Sequence, residues 1–203
     1  MNAFERETDR IYRLKVPFEE LYTSVFLIES ERGAILMDCA TTAKDVDTYI
    51  LPALGEMGYT PADVWAIVLS HRHSDHAGGL ARLLAHAPQM KVVEGEEKLT
   101  ESLLTYPMAG HCKDCIGVLD LCTHTLLSGD GLQGEGVGKY RCGVDDDGAY
   151  LQTLARVEQD ERIERILFSH AYEPWYCDAI SGRSAVLQCV ADCRIALKNR
   201  NKG

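Results

Sequence analysis

The stretch Ser70-His71-Arg72-His73-Ser74-Asp75-His76-Ala77-Gly78-Gly79 decides how the rest of this chain is read. Three of the chain's seven histidines and one aspartate fall within six positions, directly after the apolar run Val64–Leu69 (VWAIVL). A short continuous apolar run reads as a strand buried on both faces, so the histidines stand at a strand's carboxyl end. His71 and His73 share a side in extended backbone, where alternate residues point the same way. A tight turn after His73 swings Asp75 and His76 toward a second, adjacent position. Imidazole and carboxylate together suit a borderline cation such as Zn²⁺, whose nitrogen and oxygen ligands lie at about 2.0–2.2 Å. Gly78 and Gly79 allow close backbone approach as the next helix begins. A solvated polar loop explains one histidine easily and a cluster of this density poorly, so the segment reads as a metal site.

Four donors from one loop cannot surround two ions, and three other places supply more. Gly110-His111 follows the strand-like segment Leu99–Tyr106 and a turn containing Pro107. Ser128-Gly129-Asp130-Gly131 lies just beyond Thr125–Leu127, and Ser169-His170 just beyond Ile163–Phe168. Asp38 closes the segment GAILMD in the same way. Each polar residue falls at or after the carboxyl end of a strand, a common location for active sites in α/β folds. Taken singly, each reads more readily as a cap or turn; taken jointly, they read as ligands.

Outward from these points, periodicity predicts strands over Arg10–Val16, Leu21–Ile28, Gly33–Asp38, Lys91–Val93 and Ile116–Leu119. Helices are predicted over Ala43–Met57, His76–His86, Asp145–Glu161 and Ala179–Lys198. Pro52 inside the first either kinks it or marks its start, and Thr60-Pro61 reads as an N-cap and first helical residue. The acidic run Asp145-Asp146-Asp147 fits a helix N-terminus, where the macrodipole favours negative charge. The alternation of strands and helices suits an α/β (α+β) sandwich, sheets covered by helices, rather than a bundle or barrel. No repeat, low-complexity tract or linker divides the chain, so residues 1–203 are expected to form a single domain.

Composition narrows the function classes. Hydrophobic residues make up 46% and charged residues 26%, ordinary for a folded protein of 203 residues. Lysine and arginine number 21 against 31 acidic residues, a net charge of −10 with no basic stripe, which disfavours nucleic acid as a partner. No stretch approaches the roughly 18 apolar residues of a membrane helix. The amino terminus mixes charges without an apolar core, so no secretory signal is read there. A cytoplasmic protein acting on a small molecule is expected, its eight cysteines reduced thiols.

With these motifs in order, the chain resembles the metallo-β-lactamase superfamily. HRHSDH matches its HxHxDH signature, and His111, Asp130 and His170 match its remaining ligand motifs in sequence order. GHCKDCIGVLDLCTHTLLSGD looks like its "GHT…sGD" stretch, and LYTSVFLIESERGAILMDCA like its opening hairpin. The resemblance runs from about Ile11 to Trp175 and implies an αββα sandwich of two mixed sheets flanked by helices, with metals at one rim. It assigns His71, His73 and His111 to one metal, Asp75, His76 and His170 to a second, and Asp130 to both. Asp38 matches an aspartate that orients the metal loop by hydrogen bonds. Two Zn²⁺ are implied, with iron or manganese as other occupants. Such ions lower the pKa of water from 15.7 toward about 7, supplying hydroxide to attack an ester, thioester or lactone. Asp75 is the candidate catalytic residue, taking a proton from the nucleophile or passing one to the leaving group.

The best resemblance within the family is to small glyoxalase II-like and lactonase-like hydrolases. The interval from His76 to His111 is 35 positions, shorter than expected of glyoxalase II, and that enzyme's extra carboxy-terminal helical domain is not expected in this protein. The acyl substrate therefore stays open. Two alternatives remain: an oxygenase resembling the family's mononuclear iron persulfide dioxygenases, and a non-catalytic metal-stabilised binding module. Cys112-Lys113-Asp114-Cys115 is a CxxC beside a predicted ligand; a redox or a structural-zinc role is open to it, although structural zinc usually takes four ligands. Cys189 and Cys193 read as packing residues, His86 and His124 as surface or capping groups. The glycines from Gly129 to Gly138 read as a loop near the metals. Tyr140, Tyr172 and Trp175 read first as core packing, with a place lining the pocket as the alternative for each.

Overall fold

A computed structural model describes residues 3–134, 143–172 and 177–200. Among them, eleven strands form two mixed sheets, one in each of two compact units, Met1–Glu94 and Gly95–Gly203.

The first unit holds β1 (Glu5–Arg6), β2 (Ile11–Phe18), β3 (Leu21–Ser30), β4 (Gly33–Met37), β5 (Val64–Val68) and β6 (Lys91–Val93), in that spatial order. β1 to β4 are antiparallel, whereas β4–β5 and β5–β6 are parallel. Parallel neighbours need a crossover, and helices supply both. On one face Leu14, Val16, Val25, Leu27, Leu36 and Ile67 pack with Val46, Ile50, Leu54 and Leu83 from those helices.

The first crossover is α1 (Ala43–Asp45), one wide turn over Val46–Ile50, and α2 (Leu51–Glu56). Thr42 and Asp45 form a reciprocal capping box at its start. In the wide turn Leu51 N–H reaches back to Val46 O, five residues away. That opening accommodates Pro52, whose ring would otherwise meet the carbonyl four residues earlier. Thr60 and Asp63 form a second capping box around the 3₁₀ turn Pro61–Asp63.

The helix expected over His76–His86 is instead two, α3 (Ser74–Ala77) and α4 (Leu80–His86), separated by Gly78-Gly79. The cause is contact with the chain leaving β4. A Cβ at Gly78 would stand 1.8 Å from Thr41 O, and one at Gly79 2.1 Å from Cys39 O. Cys39 N–H donates to His76 O at 2.8 Å and Gly79 N–H to Ala40 O at 3.1 Å. To lie this close, the backbone turns left-handed at Asp38 (φ 64°) and Ala40 (φ 60°), each costing about 1–3 kcal/mol.

The second unit holds β7 (Leu103–Pro107), β8 (Ile116–Asp120), β9 (Thr125–Leu127), β10 (Arg165–Leu167) and β11 (Ala179–Ser181), in the order β11-β10-β9-β8-β7. β7, β8 and β9 form an antiparallel meander. β9 and β10 are parallel, with α5 (Asp147–Gln159) between them in sequence, and α6 (Arg183–Arg200) follows β11. Leu119, Leu126, Ile166 and Phe168 pack with Tyr150, Leu154, Val186 and Val190 of the helices. Asp146 caps α5 by accepting from Ala149 N–H, in keeping with the acidic run.

Two further expectations are corrected here. The final helix does not begin at Ala179: Ala179–Ser181 pairs antiparallel with β10, and Gly182 (φ 93°) turns the chain into α6. The strand expected from Leu99 begins at Leu103, because Thr100 Oγ1 captures the N–H groups of Ser102 and Leu103, both at 3.2 Å, in a side-chain turn. β1 was not anticipated; it is two exposed residues that extend the sheet edge.

Candidate metal centre

In the first unit the loop after β5 presents four of the predicted donors. His71, Asp75 and His76 are buried and His73 is exposed. His71 Nε2 lies 2.9 Å from His73 Nδ1, and His76 Nε2 lies 3.2 Å from Asp75 Oδ2. The four donors thus fall into the two pairs expected from backbone alternation and the turn after His73. Two ligand atoms on one tetrahedral zinc stand about 3.3 Å apart, given bonds of about 2.0 Å, and both pairs lie close to that spacing.

Asp38 organises this loop from a fully buried position. Its Oδ1 accepts from Ser70 N–H at 2.7 Å, and its Oδ2 accepts from Ser70 Oγ at 2.8 Å and faces His76 Nδ1 at 2.7 Å. A carboxylate in that place holds the His76 proton on Nδ1 and leaves Nε2 as the donor turned toward Asp75. His71 Nδ1 lies 3.0 Å from Ser70 Oγ, so its Nε2 is turned outward likewise. The orienting role given to Asp38 agrees with these contacts.

In the second unit His111, Asp130 and His170 meet although the sequence separates them widely; all are buried. His170 Nε2 is 3.3 Å from Asp130 Oδ1, and His111 Nε2 is 3.8 Å from Asp130 Oδ2. The two oxygens of one carboxylate therefore face different histidines. His111 Nδ1 donates to Gly143 O at 2.8 Å, which fixes its ring with Nε2 toward Asp130. The 3₁₀ turn Gly129–Gly131 holds Asp130 just past β9. All seven predicted ligands belong to donor groups able to hold a metal ion.

Two contributors were not read from the sequence. Thr23 Oγ1 on β3 donates to Asp75 Oδ2 at 3.2 Å; its signal was a buried polar pair, Thr23-Ser24, inside an apolar strand. Gly143 acts through its carbonyl, which no side-chain pattern reveals. His86 lies 3.9 Å from Asp47, and His124 bonds Arg162 O at 3.0 Å, so both have surface roles. Tyr172 is half-buried against the second core, its ring centroid 5.7 Å from that of His170. Gly136, Gly138, Tyr140 and Trp175 lie outside the described residues.

The thiols near these loops differ in character. Burial, reinforced by the Asp38 charge, pushes the Cys39 thiol up to about 12. A hydrogen bond from Cys115 brings the Cys112 thiol down to about 7, with His111 acting in the same direction and burial opposing it; Cys115 is correspondingly raised. Cys189 and Cys193 are buried in the second core, as their packing reading requires.

Two mixed sheets flanked by helices, with histidine and aspartate donors at strand ends, define the metallo-β-lactamase fold. The metallo-β-lactamase FIM-1 of Pseudomonas aeruginosa, in its mono-zinc form, has the same fold at a TM-score of 0.73 and 17% identity, covering 98% of this chain and 96% of that one. A metallo-β-lactamase from Erythrobacter litoralis matches at a TM-score of 0.70 and 18% identity, covering 93% and 96%. Residues 19–101 match the family model of the metallo-beta-lactamase superfamily. Among curated relatives, a hydroxyacylglutathione hydrolase of Xanthomonas campestris pv. campestris is 27% identical over 128 residues, 56% of this chain and 47% of that protein. The lactamase-like protein aptB of Emericella nidulans is 24% identical over 151 residues, 66% of this chain and 47% of that protein. The chain spans about half the length of the curated relatives it matches. No helix of the described residues is long and apolar enough to cross a membrane.

Proposed function

We propose that this protein is a dinuclear zinc hydrolase that cleaves an acyl bond, a thioester, ester or lactone, in a small molecule. The observation that carries the reading is the split carboxylate of Asp130, with Oδ1 3.3 Å from His170 Nε2 and Oδ2 3.8 Å from His111 Nε2. A carboxylate so disposed can bridge two ions, one oxygen toward each. The paired donors His71/His73 and Asp75/His76 support it, at spacings near the edge of a zinc coordination shell.

In this reading His71, His73 and His111 would hold one ion and Asp75, His76 and His170 the other, and Asp130 would serve both. When bound, such a pair supplies Lewis acidity and acidifies water to a pKa of about 7. The chain's own residues do the rest. Asp38 and Ser70 keep the His76 and His71 rings turned with Nε2 outward. The Gly143 carbonyl does the same for His111. Thr23 steadies Asp75, whose carboxylate takes the nucleophile's proton and delivers it to the leaving group. The relatives named hydroxyacylglutathione hydrolase favour a thioester as the first substrate class to test. The net charge of −10 favours a small molecule over nucleic acid. The seven described cysteines are free thiols, which suits the reducing cytoplasm.

Elemental analysis of protein purified without added metal tests the reading first, with about two zinc ions per chain expected. A panel of thioesters, lactones, phosphodiesters and β-lactams then tests the reaction. His71→Ala and Asp130→Ala are expected to lose at least about 100-fold in acyl hydrolysis while circular dichroism stays near native. Iron at one per chain, or a zinc-loaded protein inert toward the whole panel, refutes it.

A further inference from the structure

The loop joining β7 to β8, residues 108–115, is closed by Met108 N–H donating to Cys115 O at 2.9 Å. Inside it, Cys112 Sγ and Cys115 Sγ lie 2.9 Å apart. A disulfide bond is about 2.05 Å long, so less than about 1 Å of sulfur movement separates the dithiol from the bonded form. Side-chain rotation within one short loop supplies that. The two sulfurs differ in access: Cys112 is half-buried and Cys115 is 4% exposed. None of the donor groups found among the described residues includes a cysteine, so the pair is not explained by metal binding. Among the described residues, Cys189 and Cys193 also stand one helical turn apart, but both are buried in the second core facing Gln133 O.

We propose that Cys112 and Cys115 form a reversible dithiol–disulfide site whose reaction partner is a low-molecular-weight disulfide. The inference goes beyond the hydrolase reading and needs no metal. Cys112, the accessible sulfur, loses its proton and attacks one sulfur of the small disulfide. That S–S bond breaks, and the first small thiol leaves with the proton. Cys115 then attacks Cys112 Sγ, forming the internal bond and releasing the second small thiol with the Cys115 proton. Two protein thiols are oxidised and one small disulfide is reduced to two thiols; excess thiol drives the reverse. The spacing of two residues makes the second step intramolecular, which favours the internal bond over a lasting mixed disulfide.

The test is a peptide map of the protein, metal-loaded as purified, after incubation with oxidised glutathione, acid quench and alkylation. Trypsin cuts after Lys113, so the fragments bearing Cys112 and Cys115 stay together only through a disulfide, and tandem mass spectrometry of the joined fragment distinguishes a bond to Cys115 from one to Cys122, which lies on the same tryptic fragment. The joined fragment is expected in most molecules, with the exposed Cys122 modified at least about tenfold less, and dithiothreitol should abolish it. In Cys115→Ser the joined fragment should vanish and glutathione accumulate on Cys112. Cys112 and Cys115 both remaining alkylated while Cys122 carries glutathione would overturn the proposal. So would glutathione persisting on Cys112 in the unsubstituted protein. The map involves no hydrolysis assay, so its failure and that of the hydrolase reading are separately visible.

Discussion

Asp38→Asn isolates the electrostatic contribution of the buried carboxylate to the metal loop. Asparagine matches aspartate in shape and tolerates the left-handed backbone at φ 64°, so the backbone has no reason to move. What changes is the pattern of donors and acceptors. If the amide oxygen keeps its bond to Ser70 N–H, the amide NH₂ faces His76 Nδ1 from the oxygen position now 2.7 Å away. Two N–H donors cannot face each other, so His76 moves its proton to Nε2 and ceases to be a ligand there. A charged hydrogen bond contributes about 1.5–3 kcal/mol, and loss of an orienting partner costs about 10- to 100-fold in metal affinity. The expected outcome is a drop in that range, read by titrating zinc into metal-free protein against a chromophoric chelator. Thermal unfolding on the same samples reports whether the fold has changed. An affinity within threefold of the unsubstituted protein, with the variant folded, would refute the orienting role.

Gly79→Ala forces a Cβ to 2.1 Å from Cys39 O and 2.6 Å from Val46 Cγ2; a loss of about 3 kcal/mol is expected, visible as a fall of about 6–12 °C in Tm. Cys39 should resist alkylation at neutral pH until the protein unfolds, its thiol buried and raised to about 12, while the exposed Cys122 reacts at once; equal rates in native protein would contradict this. Tyr59 Oη donates to Glu29 Oε1 at 2.9 Å, and burial and that bond raise its pKa to about 12. Because the folded value is the higher one, the stability linked to Tyr59 is whole below pH about 10. It declines as pH rises toward 12, and Tyr59→Phe should remove this part of the alkaline loss of stability in urea titrations.

The seven donors were legible in the sequence because they are polar residues placed at the carboxyl ends of apolar strands, a pattern that survives without coordinates. Their partners were less so. Asp38 ends a strand and carries a motif, but Thr23 differs from any surface threonine only by its place in an apolar run, and Gly143 contributes a backbone atom. Element boundaries failed where side chains competed for backbone groups. Thr100 captured two N–H groups and delayed β7 to Leu103, and Gly182 let Ala179–Ser181 pair as a strand before α6 began. The break between α3 and α4 came from neither propensity nor periodicity. It follows from a contact with residues 39–41, more than thirty positions earlier, that the glycines make possible.

The loop that carries His111 is fastened on its far side. Gly110 O accepts from the N–H groups of Asp145 and Asp146 at 2.8 and 3.2 Å, and His111 is tied to Gly143 O. The number of residues between Gly131 and Gly143 is thereby uncoupled from the aim of the imidazole. A change in that number would leave the hydrogen bonds to Gly110 O and Gly143 O, and with them the direction of the His111 ring, in place.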